Sequence, residues 1–171
     1  MSKKYYNTKI VGVGGDVSKF LSVIKMMVLF DDSMVLPELR EFSVLHSGNR
    51  LEGVIKPGDI LKIADSEFTI VKVGDEVHSN IRTLGHIIIK FDGGAGELLA
   101  GSIHVEDKPI PQIRVGDEIS ISEAGAAALK GKKVSIVGAG GELSKTVAHI
   151  LLDSGAEIVG EADADIVVNV K

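Results

Sequence analysis

The chain has 171 residues, 44% of them hydrophobic and 25% charged, which is a soluble globular composition with room for one ordinary domain and a small addition. Its formal net charge of −5 leaves no basic footprint for nucleic acid, and the absence of cysteine rules out disulfides, thiolate catalysis and cysteine-ligated zinc. No secretory signal is read at the start, and the apolar stretch Phe20–Phe30, interrupted by Lys25, is too short to span a bilayer. The expectation is a cytoplasmic protein without direct membrane insertion and without nucleic-acid partners.

In chain order, Tyr5–Val13 predicts a strand, ended by Gly12, Gly14 and Gly15, with Asp16 or Ser18 capping a short helical turn. Met26–Phe30 predicts a second strand, and Pro37 can open one helical turn. Phe42–Leu45 predicts a strand that runs out at His46, Ser47 and Gly48, which puts the His46 ring at a rim that a docking partner can reach. Further strands are expected over Leu51–Ile55, Ile60–Ile63 and Phe68–Val73, the last two forming a hairpin around Asp65-Ser66. Asp75–Leu84 has helical spacing and ends at Gly85. His86–Phe91 is the purest β run, Leu98–Val105 follows the flexible turn Asp92–Gly96, and Val115-Gly116-Asp117 repeats the form of Pro57-Gly58-Asp59 before Ile119–Ser122.

Seven or eight short strands at regular spacing predict a mainly β fold, a compact antiparallel β-barrel over residues 1–123. Residues 124–171 then read as a small β-α-β-β appendage: a strand at Val134–Val137, a glycine turn at Gly138–Gly141, a helix over Glu142–Ser154 and two strands after it. The glycine turn resembles the opening of a dinucleotide-binding unit, but one such unit cannot build a crevice. The appendage is therefore weighed as a structural or interaction element against a nucleotide site, and no cofactor is expected.

Five histidines occur, and an antiparallel pair joined by the Asp92–Gly96 turn would bring His86 and His104 near each other and near His46. Spacing leaves three readings open. They are a phosphoryl-carrying histidine with supporting polar groups, a three-histidine metal site, or three unrelated histidines. No HxH or HxxxH spacing favours metal, and no metal is expected.

Asn80-Ile81-Arg82-Thr83-Leu84-Gly85-His86, Lys90-Phe91-Asp92-Gly93 and Gly101-Ser102-Ile103-His104-Val105, with Val44-Leu45-His46-Ser47 and Lys56-Pro57-Gly58-Asp59 in order before them, resemble the glucitol/sorbitol-specific IIA component of the bacterial phosphotransferase system. The resemblance covers about residues 4–122. It implies a β-barrel phosphocarrier that accepts a phosphoryl group from HPr on His46 and passes it to the IIB component of a sugar permease with its IIC subunit. His86, His104 and Ser47 are the expected supporting donors. Family members often carry a second histidine shortly after the acceptor; here Ser47-Gly48-Asn49 follow. The alternative is a binding or regulatory module that keeps the barrel without phosphotransfer, with a ligand-sensing tail.

Overall fold

The computed structural model describes residues 3–48, 50–124, 133–138, 145, 148, 152 and 156–170. The chain divides into two units, Lys3–Glu123 and Ala124–Lys171 with Met1–Ser2. In the larger unit eight strands form a closed barrel: β1 Lys4–Val13, β2 Met26–Asp31, β3 Ser43–Ser47, β4 Ile60–Ile63, β5 Ser66–Val73, β6 Ile87–Lys90, β7 Ser102–Val105 and β8 Glu118–Ser122. Around the barrel the order is β1-β3-β2-β6-β7-β5-β4-β8. Helices α1 (Val17–Ile24) and α2 (Val77–Leu84) follow β1 and β5, and α2 ends at Gly85 in the left-handed conformation. Leu51 makes only an isolated bridge to Tyr6, and residues 98–101 stay outside the strand that begins at Ser102.

Most neighbouring strands are antiparallel, but β2–β3 and β6–β7 run parallel. The antiparallel partnership expected of the strands flanking Asp92–Gly96 is therefore corrected. The connection does not stop at that turn. It continues to Gly101, long enough to carry the chain back to the end where β6 began.

The barrel is built twice. β1-α1-β2-β3-β4 and β5-α2-β6-β7-β8 have the same pairings, and a bulge interrupts β1 between Ile10 and Gly12 just as one interrupts β5 between Ile70 and Lys72. Ile10 opposes His46 as Ile70 opposes Val105, and Val28 opposes Ser43 as Ile88 opposes Ser102. Gly14 N–H donates to Ser43 O, and Gly74 N–H donates to Ser102 O. The turns before β4 and β8 match as well, with Gly58 at φ 97° and Gly116 at φ 96°. The Pro57-Gly58-Asp59 and Val115-Gly116-Asp117 likeness in the sequence is the visible trace of this duplication.

Alternation along the strands fills the interior with Ile10, Leu29, Val44, Ile70, Ile103 and Val105, all buried. Phe68 and Phe91 meet edge to face with centroids 5.1 Å apart. Each such side chain contributes on the order of 1.5–3 kcal/mol by leaving water.

The smaller unit holds a parallel three-stranded sheet, β9 Lys133–Gly138 between β10 Glu157–Ile158 and β11 Ile166–Val170. Lys145, Ala148 and Leu152 are helical. The rest of the expected helix, His149 included, and the turn residues 139–141 lie outside the described residues.

Candidate functional site

β1 runs antiparallel to β3, while β2 runs parallel to it. One end of the barrel therefore collects the first half of β1, the last residues of β2 and β3, and the link from α2 to β6. Thr8, Asp31 and His46 meet there: Asp31 opposes His46 in the register, and Thr8 bonds its ring. Asp32 N–H donates to His46 O and fixes the end of β3.

His46 is 0% exposed, so the expectation of a rim histidine is corrected. The cover is Gly85. At φ 58° and without a side chain, it lets α2's last turn lie against the ring. A Cβ there would stand 2.6 Å from Asp31 Cβ and 3.2 Å from His46 Nε2. Ser47, next on β3, faces away and is exposed, and what it brings to the site is its carbonyl.

Both ring nitrogens are engaged. Thr8 Oγ1 lies 2.7 Å from Nδ1 and 2.6 Å from Ser47 O, and Nε2 lies 2.6 Å from Gly85 O. A carbonyl only accepts, so the contact with Gly85 needs the proton on Nε2, and Thr8 O–H then donates to Nδ1. In the other tautomer Nδ1–H donates to Thr8 Oγ1, and the Thr8 hydroxyl donates to Ser47 O. That chain is complete and leaves Nε2 as the lone-pair nitrogen, free to attack once the ring leaves Gly85 O. Burial lowers the His46 pKa below the ordinary histidine value, against the Gly85 bond and the Asp31 carboxylate, which raise it. The ring is held neutral at pH 7, the form with a nucleophilic lone pair.

Tyr6 adds a hydroxyl to the same face of β1. It is buried and has no hydrogen-bond partner among the described residues. An unpartnered buried hydroxyl costs on the order of 1–3 kcal/mol. Burial first, then Asp31, raises the phenol's pKa above its ordinary range.

The second half of the barrel shows what this location looks like as plain core. By the shared register, Thr8 corresponds to Phe68, Asp31 to Phe91 and His46 to Val105. There two phenylalanines packed edge to face and a valine fill the space. The fold does not require a polar cluster at this point, yet the first half has one.

The other two expected histidines make their hydrogen bonds elsewhere than with His46. His86 Nδ1–H donates to Leu29 O at 3.0 Å, and its ring stacks on Phe30 at 4.1 Å. Burial lowers its pKa. His104 opposes Lys90, four residues beyond His86, or about 13 Å along a strand. Its Nδ1–H donates to Asp92 Oδ1 at 2.8 Å, while Asp92 also accepts from Gly94 N–H and Gly96 N–H. His104 thus anchors the glycine loop over β7. His46, His86 and His104 do not converge, so a metal site built from these three is not formed. Tyr6, Thr8 and Asp31 were not singled out from the sequence. Their signal is a polar atom at inward positions of apolar strands, visible only once the register is known.

A duplicated, closed eight-stranded barrel with polar groups gathered around the buried His46 sets the class of protein. Residues 5–120 match the family model described as PTS system glucitol/sorbitol-specific IIA component, so the chain belongs to that family and is a phosphocarrier component of a sugar phosphotransferase system. It is similar to the "PTS system glucitol/sorbitol-specific EIIA component" of Shigella flexneri and to that of Escherichia coli (strain K12). Each is 28% identical over 106 residues, covering 62% of this chain and 84% of the relative. The crystal structure titled as a PTS system IIA component from Enterococcus faecalis V583 shares the fold. Its TM-score is 0.59 at 23% identity, covering 67% of this chain and 97% of that one. The family match lies within the barrel unit. Among the described residues no helix is long and apolar enough to cross a membrane.

Proposed function

We propose that His46 carries the phosphoryl group, taking it from HPr and passing it to the IIB component of a glucitol/sorbitol-type permease with its IIC subunit, in the cytoplasm. The observation that carries this is the contrast between the two halves: Thr8, Asp31 and His46 stand where Phe68, Phe91 and Val105 pack.

The lone pair of Nε2 attacks the phosphorus of the donor phosphohistidine. The new N–P bond forms as the donor's N–P bond breaks, and the donor ring, protonated at its other nitrogen, leaves as neutral imidazole. The His46 ring keeps its own proton on Nδ1, held on Thr8, and emerges positively charged beside Asp31. Such transfer needs little from the protein beyond a placed nucleophile and matched charge. Met34, Leu36 and Leu39, exposed on the segment that follows Asp31, offer an apolar surface for the docking partner. The supporting roles first expected of His86 and His104 pass to Thr8 and Asp31.

The test is mass spectrometry after incubation with phosphoenolpyruvate, enzyme I and HPr. Acid-labile phosphate should map to His46 and vanish in His46→Gln, which keeps a donor toward Gly85 O at similar volume. His46→Ala should also lose acceptance. It should cost on the order of 2–4 kcal/mol of stability, because the buried ring leaves a cavity. Phosphate persisting on His46→Gln would place the acceptor elsewhere. No phosphate on the wild-type protein would favour a barrel that binds without transferring.

A further inference from the structure

Tyr5 and Tyr6 are sequence neighbours with different fates. The Tyr5 hydroxyl donates to the Asp59 carboxylate. The Tyr6 hydroxyl is buried without a hydrogen-bond partner among the described residues, and Tyr6 as a whole is only 2% exposed. Tyr6 lies two residues before Thr8 on β1, so both side chains stand on the same face of the strand. The antiparallel register with β3 puts Tyr6 toward the barrel end where β3 runs out, and its bridge to Leu51 holds it there. Asp31 opposes His46 in the register and Thr8 bonds its ring, and the Asp31 carboxylate raises the pKa of both the Tyr6 phenol and the His46 imidazole.

The fold does not demand a phenol at this position. Tyr6 opposes Ile121 on β8 as Ser66 opposes Ile63 on β4, so the matching residue of the second half is a serine. A buried hydroxyl with no partner among the described residues calls for a reason, and a donor held for an incoming group supplies one.

We propose that the Tyr6 hydroxyl is a catalytic donor of this site, giving a hydrogen bond to an oxygen of the phosphoryl group as it transfers to and from His46. This rests on His46 as the acceptor. Charge on the phosphoryl oxygens persists through transfer, and a donor in a water-poor interior stabilises it more than the same donor in water does. No proton is handed over. The N–P bond forms at His46 as the donor's N–P bond breaks, and the phenol stays protonated throughout. Burial and Asp31 keep it so by holding its pKa above the ordinary range.

The experiment is Tyr6→Phe in the full chain, charged with phosphoenolpyruvate, enzyme I and HPr, beside His46→Gln and the wild type. The variant should melt no lower than the wild type, since it loses only an unpartnered oxygen. Its rate of phosphoryl acceptance at His46 should fall at least about tenfold. In wild-type protein labelled with 13Cζ-tyrosine, the Tyr6 signal should shift on phosphorylation and return on dephosphorylation, a readout that a purely structural phenol would not give. Acceptance by Tyr6→Phe at the wild-type rate, or a Tyr6 signal unmoved by phosphorylation, would overturn the assignment while leaving His46 as acceptor. Wild-type protein that takes no phosphate on His46 would overturn both.

Discussion

Thr8 Oγ1 stands 2.7 Å from His46 Nδ1 and 2.6 Å from Ser47 O, so one hydroxyl can hold a proton on Nδ1 by donating its own to Ser47 O. When Thr8 donates to Ser47 O, Nδ1 holds the proton and Nε2 is the nucleophile. Thr8→Val keeps the shape and removes the relay. The neutral ring should then settle with its proton on Nε2, bonded to Gly85 O. Losing one buried hydrogen bond at the reacting group is worth about 1–2 kcal/mol, or about tenfold in acceptance rate. Thr8→Ser should restore it. Equal acceptance rates in wild type and Thr8→Val would refute the relay.

How much of this could be read from the chain follows from which interactions are local. α2 announced itself, because Val77, Ile81 and Leu84 recur at helical spacing and Gly85 closes the turn with a left-handed residue. The β4–β5 hairpin did so too, through alternation around Asp65-Ser66. The parallel run of β6 and β7 did not, since Asp92–Gly96 looks like a hairpin turn and nothing local says that the chain continues to Gly101 before pairing. The same error drew His104 toward His86. His46 stood out at the end of its strand, but its proposed role as acceptor was suggested by the resemblance to a known family. Its burial was not legible, because the glycine that covers it comes from α2, far along the chain. The duplication left one clear trace, the paired Gly58 and Gly116 turns, because the two halves share a backbone register and little sequence.

A chain ending at Glu123 should fold on its own and accept phosphate like the full-length protein. All eight barrel strands lie before that residue, and β8 closes the sheet against both β1 and β4. Glu123 N–H donates to Lys3 O, which ends the barrel's hydrogen bonding there. Circular dichroism and a single cooperative urea transition, together with the charging assay, would check this. An insoluble truncated chain would show that residues 124–171 belong to the folding unit.

Stability should fall on mild acidification. His46, His78 and His86 all have folded pKa values below the ordinary histidine value, mainly through burial. Unfolding frees each to titrate near 6.5. As pH drops through that value the unfolded chain takes up protons that the folded chain refuses, so the unfolded state gains. Above about pH 7 all three are neutral in both states, and this contribution is flat. The Asp92 and Glu106 carboxyls behave oppositely in charge and alike in consequence. Backbone donors hold both carboxyls below their usual range, Gly94 and Gly96 for Asp92 and Thr69 for Glu106, with His104 or Lys108 adding, although burial pulls the other way. Their stabilisation is complete above the ordinary carboxylate range near pH 4 and is lost as pH falls through the lowered folded values. Urea midpoints should therefore stay level from pH 8 to about 7, decline from there toward pH 5, and decline again below about 4. Each proton of difference steepens the fall by about 1.4 kcal/mol per pH unit. His86→Gln should flatten the first decline, because one of its protons is gone. A midpoint that rises between pH 7 and 5 would mean that these rings are charged in the fold, and the neutral nucleophile at His46 would fall with them.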